Sequence, residues 1–169
     1  MMPACQATFR LTLALAGAFL LADAAPRLHA ADAPAPTSIT WADLRFPVSP
    51  PKKVEIEGVK HPVETFNEQI PDKVRELDNQ RIEIRGYMMP TELEGKNVRS
   101  FVLVVSQNVC CYGATPDINE YIVVRMTGKP ALLLENMPIR VVGKLHVGDI
   151  YDNGYWTGIY ALEGSEVKL

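Results

Sequence analysis

Between residues 81 and 169 the chain holds five β-type runs, and the first and fourth carry a glycine in mid-run. The runs are RIEIRGYMM (81–89), FVLVV (101–105), YIVVRM (121–126), IRVVGKLHVG (139–148) and WTGIYALEGSEVKL (156–169). The first alternates, so Ile82, Ile84 and Gly86 face inward while Arg81, Glu83 and Arg85 face water. Glycine inside a strand marks a tight bend of the kind found at barrel corners, and Gly86 and Gly143 supply two. The segment between the fourth and fifth runs holds Asn153-Gly154, a hairpin-turn signal. Five short strands with internal bends predict an all-β fold, a five-stranded Greek-key barrel of OB type. A sandwich is the alternative, but it needs about seven strands.

Upstream, IPDKVRELDNQ (70–80) predicts one short helix, with Pro71 in its first turn and Asp72 at its positive end. PPKKVEIEGVKHPVETF reads as an edge strand or hairpin, and ITWADLRFP as an arm packing onto the domain through Ile39, Trp41, Leu44 and Phe46. ALLLENM (131–137) is ambiguous between a helical turn and a strand. The expected layout is a signal peptide over 1–30, a linker and N-terminal arm over 31–69, and the barrel domain over 70–169.

The leader follows from Arg10, an apolar run LTLALAGAFLLA too short for a comfortable span, and small-residue cleavage options after Ala24 or Ala30. It predicts a periplasmic or secreted protein with no membrane span after processing. The whole chain has 17 basic and 20 acidic residues; loss of Arg10, Arg27 and Asp23 leaves 15 and 19, a net charge of −4. That acidity argues against a nucleic-acid partner, which wants a basic stripe.

Removal of the leader leaves two cysteines, Cys110 and Cys111, side by side in a loop with turn residues Gly113, Pro116 and Asn119. Neighbours cannot close a long loop, so they are not a stapling framework. Four readings stay open. One cysteine packs inward as a small apolar group. The pair forms a strained vicinal disulfide or an intermolecular one. The thiolates bind a soft ion, zinc or copper, with a further ligand. Or they cycle as a redox couple, although no nearby cation lowers their pKa. His146, near the end of the fourth strand, is the candidate third metal ligand. Met88-Met89 is set aside because it ends the first strand, on the opposite rim and well over ~10 Å away at ~3.3 Å per residue. Tyr112, Asn119, Tyr151, Tyr155 and Trp156 form the expected binding surface on that rim. Phosphate-binding glycine loops, nucleophile elbows and paired-histidine helices are absent, so no catalytic residue is named and the reading leans to a non-enzymatic binding module. A thiol-redox protein and a structural or assembly subunit with a packed loop are the alternatives.

QRIEIRGYMMPT, FVLVVSQNVCCYGATPDINEYIVVRM and IRVVGKLHV followed by IYALEGSEV resemble an uncharacterised family of exported bacterial proteins, a domain of unknown function. The resemblance spans residues 41–167 and is strongest over 81–126, with the Cys-Cys-aromatic-Gly run, 110–113, as its most specific piece. Another branch of that family carries Cys-x-His, a proline run and Asn-Gln here; these fall on Cys110, Tyr112, Pro116, Asn119 and Glu120. The resemblance implies a periplasmic accessory protein, with a protein partner in an envelope transport system.

Overall fold

The computed structural model describes residues 34–55, 63–108, 113 and 115–169, so the expected leader over 1–30 lies outside the described residues. The elements are β1 (Thr37–Ser38), α1 (Trp41–Leu44), β2 (Lys52–Val54), β3 (Val63–Thr65), a 3-10 turn (Asn67–Gln69), α2 (Asp72–Arg75), β4 (Arg81–Glu94), β5 (Asn97–Val104), β6 (Tyr121–Met126), β7 (Ala131–Leu132), β8 (Pro138–Asp152) and β9 (Tyr155–Lys168). Pro34–Leu169 is one compact unit. Among the described residues no helix is long and apolar enough to cross a membrane.

Five strands close into a ring, β4–β5–β6–β9–β8 and back to β4. All neighbours are antiparallel except β6 and β9, which are parallel. Numbered within the ring, the order is 1-2-3-5-4, the OB-type barrel that the five runs predicted. Alternation explains the closure: Ile82, Ile84 and Met88 of β4, Phe101 and Leu103 of β5, and Ile122 and Val124 of β6 all point into one core. Gly86 and Gly143 sit where a side chain has no room. A Cβ on Gly86 would lie 2.7 Å from the Val104 carbonyl oxygen, and one on Gly143 would lie 2.4 Å from that of Glu163.

Boundaries differ from the sequence reading in several places. β4 runs on to Glu94 through a register irregularity near Glu92, so only Gly95 and Lys96 turn the chain. Met88-Met89 is therefore mid-strand, not at the rim. The helix expected over 70–80 is a single turn, Asp72–Arg75, followed by turns that end at Asn79, whose φ is +62°. ALLLENM resolves into β7, which pairs with Asn97 and Val98. The Asn-Gly expectation holds: Asn153 and Gly154 both have positive φ, +49° and +84°, as a tight primed turn requires.

The arm is part of the core. β1 pairs in parallel with Ile82 and Glu83 of β4. Asp43 then closes a capping box on Thr40, accepting from its backbone N–H at 2.7 Å and its hydroxyl at 2.8 Å. These contacts also hold the Asp43 carboxyl below the ordinary range, the backbone bond first. The single turn α1 drops Leu44, fully buried, into the barrel cluster beside Ile39 and Phe46. The Tyr160 hydroxyl donates to the Leu44 carbonyl at 2.8 Å and the Trp41 indole N–H to the Arg85 carbonyl at 2.7 Å. β2 and β3 form a separate two-stranded hairpin.

Burial pushes the Tyr160 phenol well above the ordinary tyrosine value of 10.0. Its unfolded counterpart ionises near that value, so above about pH 10 the unfolded state sheds a proton that the folded state keeps, and stability falls with pH. The slope is up to about 1.4 kcal/mol per pH unit for such a group. Tyr160→Phe should cost about 1–2 kcal/mol at pH 8, because the Leu44 carbonyl loses its donor. It should then lose less stability than the wild type between pH 8 and 11. Urea unfolding at both values checks this, and an equal loss in both proteins would refute the assignment.

Candidate functional site

The loop between β5 and β6 closes at its neck through the Val105 N–H donating to the Glu120 carbonyl at 3.2 Å. Cys110, Cys111 and Tyr112 lie outside the described residues. The return limb from Thr115 onward is described, as is the groove beside it. This groove, about 440 Å³, is lined by Met89 of β4, Val102 of β5, Thr115, Pro116, Tyr121 of β6 and Thr157 of β9. Met89 pairs with Val102, two residues before β5 ends at Val104. Its neighbour Met88 points inward and is buried. A strand ending at residue 89, as the sequence suggests, would put both on the far rim. The longer strand brings one thioether to the border of the cysteine loop.

The groove's described lining carries no charge. Tyr121 donates its hydroxyl to the Thr157 carbonyl at 3.1 Å, and burial raises its pKa. Gly158, φ +157°, leaves room for that ring: a Cβ there would come within 2.9 Å of Tyr121.

His146 stands in a different environment. It pairs with Ala161 of β9, which in turn pairs with Val123 of β6, so two strand spacings (roughly 10 Å) separate it from β6. Its Nε2 lies 2.9 Å from a Glu163 carboxylate oxygen. It is not among the groove's lining residues. Among the described residues no group of three or more His, Cys, Asp or Glu side chains could hold a metal ion.

The expected aromatic surface divides. Tyr151 pairs with Trp156, and Asp152 with Tyr155. Paired residues share a face and neighbours alternate, so Tyr151 and Tyr155 point to opposite faces of the hairpin. Tyr155 is 77% exposed and Tyr151 is 47% exposed. Partial burial, and then the Asp149 charge, raise the Tyr151 pKa. Asp152 ion-pairs with Arg125 of β6 at 3.7 Å. Trp156 is not a free surface group. It packs against Phe66 with ring centroids 5.2 Å apart and donates its indole N–H to Asp149 at 3.1 Å. Asp149 also accepts from the Phe66 backbone N–H at 3.1 Å and from the Thr65 hydroxyl. This carboxylate clasps the β2–β3 exit onto the β8–β9 hairpin, a role with no local sequence signal.

Asn119 also departs from the expected surface. It is 4% exposed, and its amide donates to the Phe46 carbonyl of the arm at 2.7 Å. A buried amide needs such a partner, and this one lies 73 positions away in sequence. Glu120 follows, paired with Arg45 of the arm at 2.5 Å.

A model of a protein family of unknown function, DUF3299, matches residues 48–169. No curated protein matches the sequence. The chain is similar to the crystal structure of a DUF3299 family protein from Pseudomonas aeruginosa PAO1, with a TM-score of 0.55 and 19% identity. That match covers 79% of this chain and 95% of the other, and at this identity it speaks for the fold alone. A protein from Leishmania major Friedlin described as an aspartyl-tRNA synthetase matches with a TM-score of 0.40 and 10% identity over 85% of this chain and 22% of that one. A likeness of that size says nothing about what this chain does.

Proposed function

We propose that this chain, which belongs to the DUF3299 family, is an exported, non-enzymatic accessory module that binds a soft metal ion at the loop of Cys110 and Cys111. The observation that carries the reading is the shared groove: Thr115 and Pro116 of the loop's return limb line one cavity with the Met89 thioether. Thiolate and thioether sulfur are soft donors and suit Cu(I); thiolates also suit Zn(II). An uncharged wall favours neutralisation of the ion by the thiolates themselves. In this reading Met89 takes the place first offered to His146, whose imidazole already faces Glu163. The apolar leader within residues 1–30 supports a periplasmic or secreted location, where a protein of an envelope transport system is the proposed partner.

The test is a titration of the mature chain, residues 31–169, with Zn(II) and with Cu(I) against a chromophoric chelator. One equivalent of either ion held in competition is expected. Retention of neither ion above background would sink the proposal.

A further inference from the structure

The edge of β4 that faces away from β8 is covered in two stretches that do not meet. The arm follows its first part: β1 pairs with Ile82 and Glu83, and the Ile39 N–H donates to the Glu83 carbonyl at 2.9 Å. β5 pairs with it only from Tyr87 onward. At the break lies a notch of about 280 Å³ whose lining includes Ile39, Trp41, Arg85, Tyr87, Val105 and Pro138. The Trp41 indole N–H donates to the Arg85 carbonyl at 2.7 Å, which holds the ring at this place. The N–H and the carbonyl of one strand residue turn to the same edge, so the Arg85 N–H also points to the notch.

The chemistry of the wall is specific. Among its described residues Arg85 is the only charged one. Arg85 is exposed and takes part in no ion pair among the described residues. Directly opposite it on β8 stands a second arginine, Arg140, so the cross-strand neighbour does not neutralise it. Trp41 and Tyr87 are half-buried, and each presents part of an aromatic ring beside that cation.

We propose that this notch binds a small aromatic carboxylate, its ring against Trp41 and Tyr87 and its acid group on Arg85. Charge complementarity sets the sign of the ligand. The planar guanidinium matches a carboxylate in a two-point pair, and aromatic side chains favour a flat apolar ring. The volume lies at the small end of ligand sites, which suits one or two rings. The notch shares no described lining residue with the groove beside the cysteine loop, so this inference holds or fails independently of the metal reading.

The experiment is a titration of the mature chain with benzoate, followed through its indole N–H resonances in nitrogen-edited NMR. Trp41 and Trp156 are the two tryptophans of the chain. Trp156, whose indole donates to Asp149, is the internal control. Benzoate should move the Trp41 resonance saturably and leave that of Trp156 in place. Benzamide, the same ring without the charge, should bind about tenfold more weakly or worse, the scale of one charge-assisted pair. Arg85→Gln should weaken benzoate by a similar factor; the position is exposed and the carbonyl that holds Trp41 is kept, so the fold should survive. Lys144→Gln removes the same charge opposite Arg81, roughly 13 Å along β4 from Arg85, and should stay within about twofold of wild type. No saturable movement of Trp41 up to about 20 mM benzoate would overturn the proposal. So would a matching movement of Trp156, or an affinity of benzamide or of Arg85→Gln within about twofold of that of the wild type for benzoate.

Discussion

Gly143→Ala is expected to cost the barrel about 3 kcal/mol or more, well above the cost of Tyr160→Phe. The added methyl would sit 2.4 Å from the Glu163 carbonyl oxygen, 2.9 Å from its carbon and 2.9 Å from the Leu162 side chain. Two of those three atoms are backbone, so no rotamer change relieves the contact. β8 would have to lift from β9 at the register irregularity between Val142 and Gly143. That seam joins two of the five ring strands, and opening it exposes the core around Leu145 and Leu162. At about 4 °C per kcal/mol for a domain of this size, the melting temperature should fall by roughly 10 °C or more. Gly128→Ala is the internal control: a Cβ there meets nothing within 4 Å, and the change should be within about 0.5 kcal/mol of neutral. Thermal melts of the two variants check the pair. Equal melting temperatures would mean that Gly143 is not a closure point.

The second large effect concerns binding. Replacing Cys110 and Cys111 together by Ser should weaken retention of Zn(II) or Cu(I) by more than about 100-fold. Loss of outer partners alone costs about 10–100-fold, and here the soft donors themselves are removed. Folding should survive. Among the described residues the buried cluster already runs from Ile82 to Leu162, with Leu44 of the arm. The measurement is competition against a chelator, with a circular dichroism melt on the same samples. Undiminished affinity would place the ion elsewhere. A collapsed melt would instead assign the pair to packing.

Much of this architecture is legible in the sequence because it rests on local patterns. Alternation at Ile82 and Ile84, mid-strand Gly86 and Gly143, and Asn153-Gly154 each act over a few residues, and together they define a closed five-stranded barrel. The lengths of β4, β5 and β8 are not legible. Their polar ends, such as TELE at residues 91–94, look like turn sequence, and only the partner strand makes them strand. A β4 cut short in this way moves Met89 to the far rim and leaves His146 as the favoured third ligand. The remaining differences share a cause. Asn119 and Trp156 read as surface because polar and amphipathic side chains usually are. Their partners, Phe46 for one and Asp149 with Phe66 for the other, lie on other segments of the chain. Such pairings are made by the closed barrel and leave no trace in the residues beside them.

The most direct test of the metal reading is a native mass spectrum of the mature protein isolated from the envelope fraction of an expressing cell, followed by a denaturing spectrum without reductant. One zinc or copper ion per chain, lost on denaturation to leave the mass of the free dithiol, is the predicted result. A metal-free native mass together with a two-hydrogen deficit or a covalent dimer on denaturation would contradict it, and would make Cys110 and Cys111 a disulfide rather than a metal site.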